Sequence, residues 1–116
     1  MYKDGIEVER LNRYENKKSV SHVESCFSEC LPTVAVSEYV RAYTNQIRQW
    51  VNGDYVTLGT DGFGRSDTRE ELRNYFEISK DHIVINALIV SGNKDKAEKY
   101  IKDKKIDLNT KAPWLR

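Results

Sequence analysis

Two short β-branched runs bracket one helical segment, and that order constrains the chain more than any other feature. Thr33-Val-Ala-Val-Ser-Glu follows Pro32, and Tyr55-Val-Thr-Leu-Gly follows the turn Asn52-Gly53-Asp54. Their apolar, β-branched character fits strands buried in a sheet. Between them Val40, Tyr43, Ile47, Trp50 and Val51 recur at helical spacing, which predicts an amphipathic helix from about Val40 to Val51. Strand, helix, strand reads as a parallel βαβ unit with a right-handed crossover. A two-stranded parallel sheet leaves both edges open and cannot bury both faces of its strands. The expectation is therefore one or more strands upstream of Met1, making residues 1–116 a single truncated α/β domain; an unrecognised strand or a swapped dimer would also satisfy the sheet.

The flanking segments read as helices. Asp4, Glu7 and Glu9 precede Arg10 and Arg13, an order that suits the helix dipole over Asp4–Tyr14. Ser21 and Glu24 form a capping box for a segment whose Val20, Val23, Phe27 and Leu31 recur near helical spacing, ending before Pro32. Asp67 and Glu70 suggest a second capping box, opening a helix that buries Leu72 and Phe76. Ser79 caps the next segment, Ile83 to Val90, whose β-branched content also permits a strand; its length and the Gly92-Asn93 stop favour a helix. Asn93 then caps a last helix carrying Ala97 and Ile101, and Asp107–Arg116 is expected to be an extended tail anchored by Trp114.

Charge gives no global clue to a partner. Lys and Arg number 19 against 18 Asp and Glu, a net charge of +1, so no basic field recruits nucleic acid. The run Ile83–Val90 is far shorter than the roughly 20 residues of a membrane span, and Met1-Tyr-Lys-Asp-Gly lacks a signal-peptide core. A soluble, intracellular, cytoplasmic chain is expected. Lysines 94, 96, 99, 102, 104, 105 and 111, set against Asp95, Glu98, Asp103 and Asp107, read as a solvated face rather than an RNA or membrane contact.

Cys26 and Cys30 are too few for a disulfide framework. With His22 they lie on one helical stripe, but no fourth ligand stands at a zinc spacing, so both cysteines read as small core residues. His82, near a helix start and without a carboxylate or nucleophile at fixed spacing, reads as a surface or capping histidine. The sharpest local signal is Gly59-Thr-Asp-Gly-Phe-Gly-Arg-Ser-Asp. A glycine-rich loop between a strand and a helix is where anions bind, yet the Walker and dinucleotide spacings are absent and Asp61 and Asp67 would repel an anion. A structural loop is the expectation, with Phe63 plugging the core and Arg65 paired with a carboxylate.

Pro32-Thr-Val-Ala-Val-Ser-Glu-Tyr, Gln46-Ile-Arg-Gln-Trp-Val and above all Tyr55-Val-Thr-Leu-Gly-Thr-Asp-Gly-Phe-Gly-Arg-Ser-Asp-Thr-Arg-Glu-Glu-Leu-Arg-Asn-Tyr-Phe-Glu resemble the C-terminal domain of the homodimeric, thiamine diphosphate-dependent pyruvate dehydrogenase components. The likeness runs from about Asp4-Gly5 and Glu9-Arg10 to the tail. Transketolase is similar at Phe63-Gly64-Arg65-Ser66, Leu72 and Phe76, but the continuation through Asp67, Arg69 and Glu70 is closer to pyruvate dehydrogenase.

The resemblance implies part of a transketolase C-terminal-like, three-layer α/β domain with a mostly parallel sheet, lacking its first strands. It implies thiamine diphosphate and magnesium in the full-length enzyme and none in this chain. The family's metal motif and catalytic glutamate lie in other domains, so no catalytic, cofactor-binding or metal residue carries over. The implied partners are the remainder of the enzyme, the homodimer mate and the dihydrolipoyl acetyltransferase component. Asp61, Arg65 and Ser66 are the candidate interdomain contacts. The competing readings are a transketolase C-terminal domain and a stand-alone interaction module. A chain of this kind is expected to be marginally stable or to self-associate, because an open parallel edge and uncovered apolar surface accompany missing strands.

Overall fold

In the computed structural model, which describes residues 1–116, β1 (Thr33–Val36) and β2 (Tyr55–Leu58) pair in parallel, with Thr33 opposite Tyr55 and Val36 opposite Leu58. They are the only strands, so the sheet has two free edges. The crossover holds α3 (Arg41–Asn45) and a 3₁₀ turn at Arg48–Trp50. The helix expected over Val40–Val51 is thus interrupted at Gln46 and Ile47. Its ladder is diverted there: the Thr44 carbonyl accepts from the Tyr55 hydroxyl at 2.8 Å, and Trp50 and Val51 reach back only three residues for their acceptors. Arg48 donates to the Tyr55 carbonyl at 2.8 Å, its guanidinium 5.1 Å from the Tyr55 ring centroid. Tyr55 therefore ties the crossover to β2.

Helices cover part of this unit. α5 (Lys80–Val90) packs across both strands, and α6 (Lys94–Lys104) folds back on α5 through the turn at Gly92. The lysines of α6 all point to solvent, as expected, while Ala97 is buried. α1 (Tyr2–Tyr14) and α2 (His22–Cys26) pack together before the sheet begins. The Ser21 capping box of α2 is present in full: Ser21 Oγ accepts from the Glu24 amide, and Glu24 accepts from the Ser21 amide at 3.0 Å and hydroxyl at 2.7 Å. These bonds to Ser21 hold the Glu24 carboxyl below its ordinary range. No helix is long and apolar enough to cross a membrane.

Three expectations fail in informative ways. α2 stops at Cys26 rather than before Pro32, because the carbonyls of Phe27 and Ser28 accept from Asn52 instead of extending the helix. Gly53, at φ +93°, brings the turn so close to Leu31 that a Cβ would lie 2.9 Å from its carbonyl oxygen. Cys26 and Cys30 are consequently exposed rather than core residues, and no three metal-ligating side chains converge. The tail forms a 3₁₀ turn at Pro113–Leu115, in which Pro113 is buried and Trp114 stays 48% exposed.

Three of the helices end alike. α4 (Arg69–Tyr75), α5 and α6 each close with paired 6→1 and 5→2 bonds and a left-handed residue, Glu77, Gly92 and Lys105 respectively. Glycine carries no penalty in that conformation, whereas a residue with a Cβ does.

The surface is too large for the chain. Only 12 of 116 residues are buried, and the accessible area is 8536 Å², against about 6,500 Å² for a compact monomer of this mass. The radius of gyration is 17.3 Å, against about 13 Å for a compact domain of this length. Some 2,000 Å² of surface in excess of the compact value is left to solvent.

Two substitutions test this packing. Gly5 of α1 faces the Trp50 indole so closely that a Cβ would lie 2.6 Å from it. Gly5→Ala should destabilise by roughly 1–2 kcal/mol, although helix propensity alone would favour alanine by about 1 kcal/mol. Lys105→Gly should stabilise by about 1 kcal/mol by relieving the left-handed residue. Urea midpoints of the three proteins check both signs.

Candidate functional site

The carboxyl ends of β1 and β2 carry the loops that open α/β sheets use for function. The loops are tied to each other: Ser37 donates to the Leu58 carbonyl, Thr60 donates through its amide to Tyr39 and through its hydroxyl to the Glu38 carbonyl at 2.7 Å. Gly59 is buried in this junction, where a Cβ would meet the Tyr39 carbonyl at 2.7 Å and Arg41 at 2.9 Å. The glycine therefore serves close backbone approach.

Asp61 closes the junction. Its Oδ1 accepts from the Arg41 amide at 2.9 Å and its Oδ2 from Arg41 Nε at 2.5 Å, so one carboxylate satisfies the start of α3 and pairs the guanidinium. Burial pushes the Asp61 carboxyl up, but the Arg41 amide bond, guanidinium bond and charge outweigh it and hold the group below its ordinary range. The Arg41 guanidinium also lies 4.3 Å from the Trp114 ring centroid. Gly62, at φ +100°, lets the tail pass so that a Cβ would be 3.1 Å from Trp114 Cα.

Beyond Gly62 the loop turns outward. Phe63 is 93% exposed and plugs no core, because the flanking Gly62 is seated against the tail and leaves Phe63 at the tip. Arg65 pairs with no carboxylate side chain. Its Nη2 donates to the Tyr75 hydroxyl at 2.9 Å and to the Arg116 backbone oxygen at 3.0 Å, with its guanidinium 4.9 Å from the Tyr75 ring centroid. Arg116 lies over the same ring at 5.1 Å and donates to Glu77 Oε1 at 2.7 Å, to Thr110 and to the Tyr75 carbonyl. Tyr75 thus binds loop to tail through two guanidinium groups. Ser66 is exposed.

The helix after the loop begins one residue later than expected. Thr68, not Asp67, is its cap, accepting from the Glu71 amide at 3.3 Å, while Asp67 accepts from the Thr68 amide. Thr68-Arg-Glu-Glu71 carries the same spacing signal, displaced by one position. Of the helix's expected core pair, Phe76 is buried and Leu72 only partly so. His82 is half-buried against Ser79, whose Oγ lies 2.9 Å from Nδ1, and burial lowers its pKa. Ser79 therefore engages His82 rather than capping α5 through its side chain.

Residues 7–79 match the family model of the transketolase-like TK C-terminal domain. The chain belongs to that family. It is 47% identical over 90 residues to the pyruvate dehydrogenase E1 component of Pseudomonas aeruginosa, covering 74% of this chain and 10% of that protein. It is 40% identical over 119 aligned positions to the corresponding component of Cupriavidus necator, covering 96% of this chain and 13% of the relative. The Escherichia coli component is 38% identical over 89 residues. The chain thus spans about a tenth of the length of the curated relatives it matches. For this transketolase-like domain, the α/β class expected from the sequence holds, with a parallel sheet and flanking helices.

Asp61 supplies a pH signature. A carboxyl whose pKa is lower folded than unfolded stabilises the fold above its unfolded value of about 3.9, and that contribution is lost as pH falls through the folded value. Asp61→Asn should cost about 2 kcal/mol at neutral pH. Its deficit relative to the unmodified chain should shrink as pH drops below about 4, as read from urea midpoints at neutral and acidic pH.

Proposed function

We propose that this chain is the C-terminal structural and assembly portion of a pyruvate dehydrogenase component, a single domain completed by strands from the longer protein. That protein decarboxylates pyruvate on thiamine diphosphate with magnesium, in the cytoplasm, and reductively acetylates the lipoyl group of its acetyltransferase partner. The observation that carries this reading is a surface about 2,000 Å² larger than that of a compact monomer of this mass. Large apolar side chains are exposed with it, among them Tyr2, Ile6, Tyr39, Val40, Tyr43 and Phe63. The relatives' names support the enzyme assignment, and the continuation Arg65-Ser66-Asp67 favours it over transketolase.

The loop junction does not fit the cofactor. Both Asp61 oxygens are engaged by Arg41, and the cavity beside Gly59, which Trp114 borders, measures only about 60 Å³. The diphosphate, metal and pyrimidine would be held by the remainder of the enzyme, where binding and orientation are the protein's contribution. The role of Asp61 and Arg65 is to hold the loop, so that Phe63 and Ser66 meet the neighbouring domain or the homodimer mate.

Calorimetric titration of this chain with thiamine diphosphate and magnesium should give no saturable heat, and pyruvate should not turn over. Saturable micromolar binding would contradict the assembly role. Phe63→Ala should leave the melting of this chain unchanged and weaken the dimer of the full-length protein, measured by its dissociation on dilution.

A further inference from the structure

A cavity of about 300 Å³ opens beside the candidate site, between the strand ends and α4. Its back wall is apolar, formed by Leu72, Phe76 and Ile78, of which the last two are buried. The polar lining is bonded internally: Thr60 is hydrogen-bonded to the Glu38 carbonyl, and the Glu38 carboxylate takes Arg73 Nε at 3.1 Å and Nη2 at 2.5 Å. Hydrogen bonding from Arg73 and its charge, with a smaller contribution from the charge of Arg69, hold Glu38 below the ordinary carboxylate range.

The rim is charged in both senses. Arg69 lines the cavity one turn before Arg73, yet it makes no ion pair and no hydrogen bond. Asp67 lines it too, and its one hydrogen bond is from the Thr68 amide at 2.7 Å. Arg73 pairs with Glu38 directly, and Arg69 acts on Glu38 only at longer range, so the rim holds one cation and one carboxylate, Arg69 and Asp67, without a direct partner for either charge, more than 4 Å apart, against an apolar wall. Two opposite charges that fail to pair directly are complementary to a ligand carrying both signs. A phosphate or a dicarboxylate would meet Asp67 unfavourably, and a purely apolar ligand would leave Arg69 without a partner at the rim.

We propose that this cavity binds a small aliphatic α-amino acid as its zwitterion. Arg69 takes the carboxylate through its planar fork, Asp67 takes the ammonium, and the side chain lies on Leu72, Phe76 and Ile78. The volume is at the lower end of those that hold small ligands, about 300 Å³, which suits a molecule of this size. The carboxyl ends of parallel strands are also where open α/β sheets place ligands.

Calorimetry and ligand-observed NMR of this chain with L-leucine, glycine and 4-methylpentanoate test the proposal. Leucine should bind saturably and at least about tenfold more tightly than glycine, which lacks the side chain, or 4-methylpentanoate, which lacks the ammonium. Asp67→Asn should abolish the advantage of leucine over 4-methylpentanoate, while Arg69→Gln should weaken both. Both residues are exposed, and asparagine can still accept from the Thr68 amide, so neither change should alter the melting curve. No saturable leucine binding, equal binding of 4-methylpentanoate, or unchanged binding in both variants would overturn the proposal.

Discussion

The parallel pairing of β1 with β2 is the constraint on which the rest of the structure depends. Parallel strands cannot be joined by a tight turn, so the chain must leave the sheet, cross it and return. Every tie along that crossover has to hold two distant segments together. At its middle the Tyr55 hydroxyl and the Arg48 guanidinium fasten the helical segment to β2. At its start the Asp61 carboxylate, from the loop after β2, receives Arg41 at the first turn of α3. The glycine-rich loop follows from that closure. Gly59 must be small because the junction is tight there, and Gly62 must take a positive φ because the tail passes beneath it.

Local rules were readable in the residues. The strands, their parallel order, the Ser21 capping box and the Gly92 stop each depend on side chains a few positions apart, and each is present. What was hidden depends on long-range partners. Nothing near Asp61 points to Arg41, twenty residues earlier, and nothing near Arg65 points to the backbone of Arg116. The same cause broke the predicted Val40–Val51 helix, because the competing donor came from Tyr55. It also shortened α2, because Asn52 claimed its last carbonyls. Phe63 and the two cysteines are the converse case: their apolar character predicts burial, yet all three are exposed.

The thin core and the large surface have one physical explanation. Residues Ile83–Val90 are apolar around most of the helix, a pattern that belongs to helices surrounded by protein. Here α5 meets the sheet and α6, yet Val84 and Ile89 remain exposed. Val36 at the end of β1 and the stacked Tyr39 and Tyr43 rings, 5.7 Å apart, are exposed as well. Apolar surface of this extent on an open sheet is stabilised by association or by further chain, not by solvent.

Sedimentation of the isolated chain over a range of concentrations tests that account most directly. Uncovered strand edges and an apolar surface predict reversible, concentration-dependent association, with a melting temperature that rises as the protein is concentrated. A monomer at every concentration, melting cooperatively at high temperature, would contradict it.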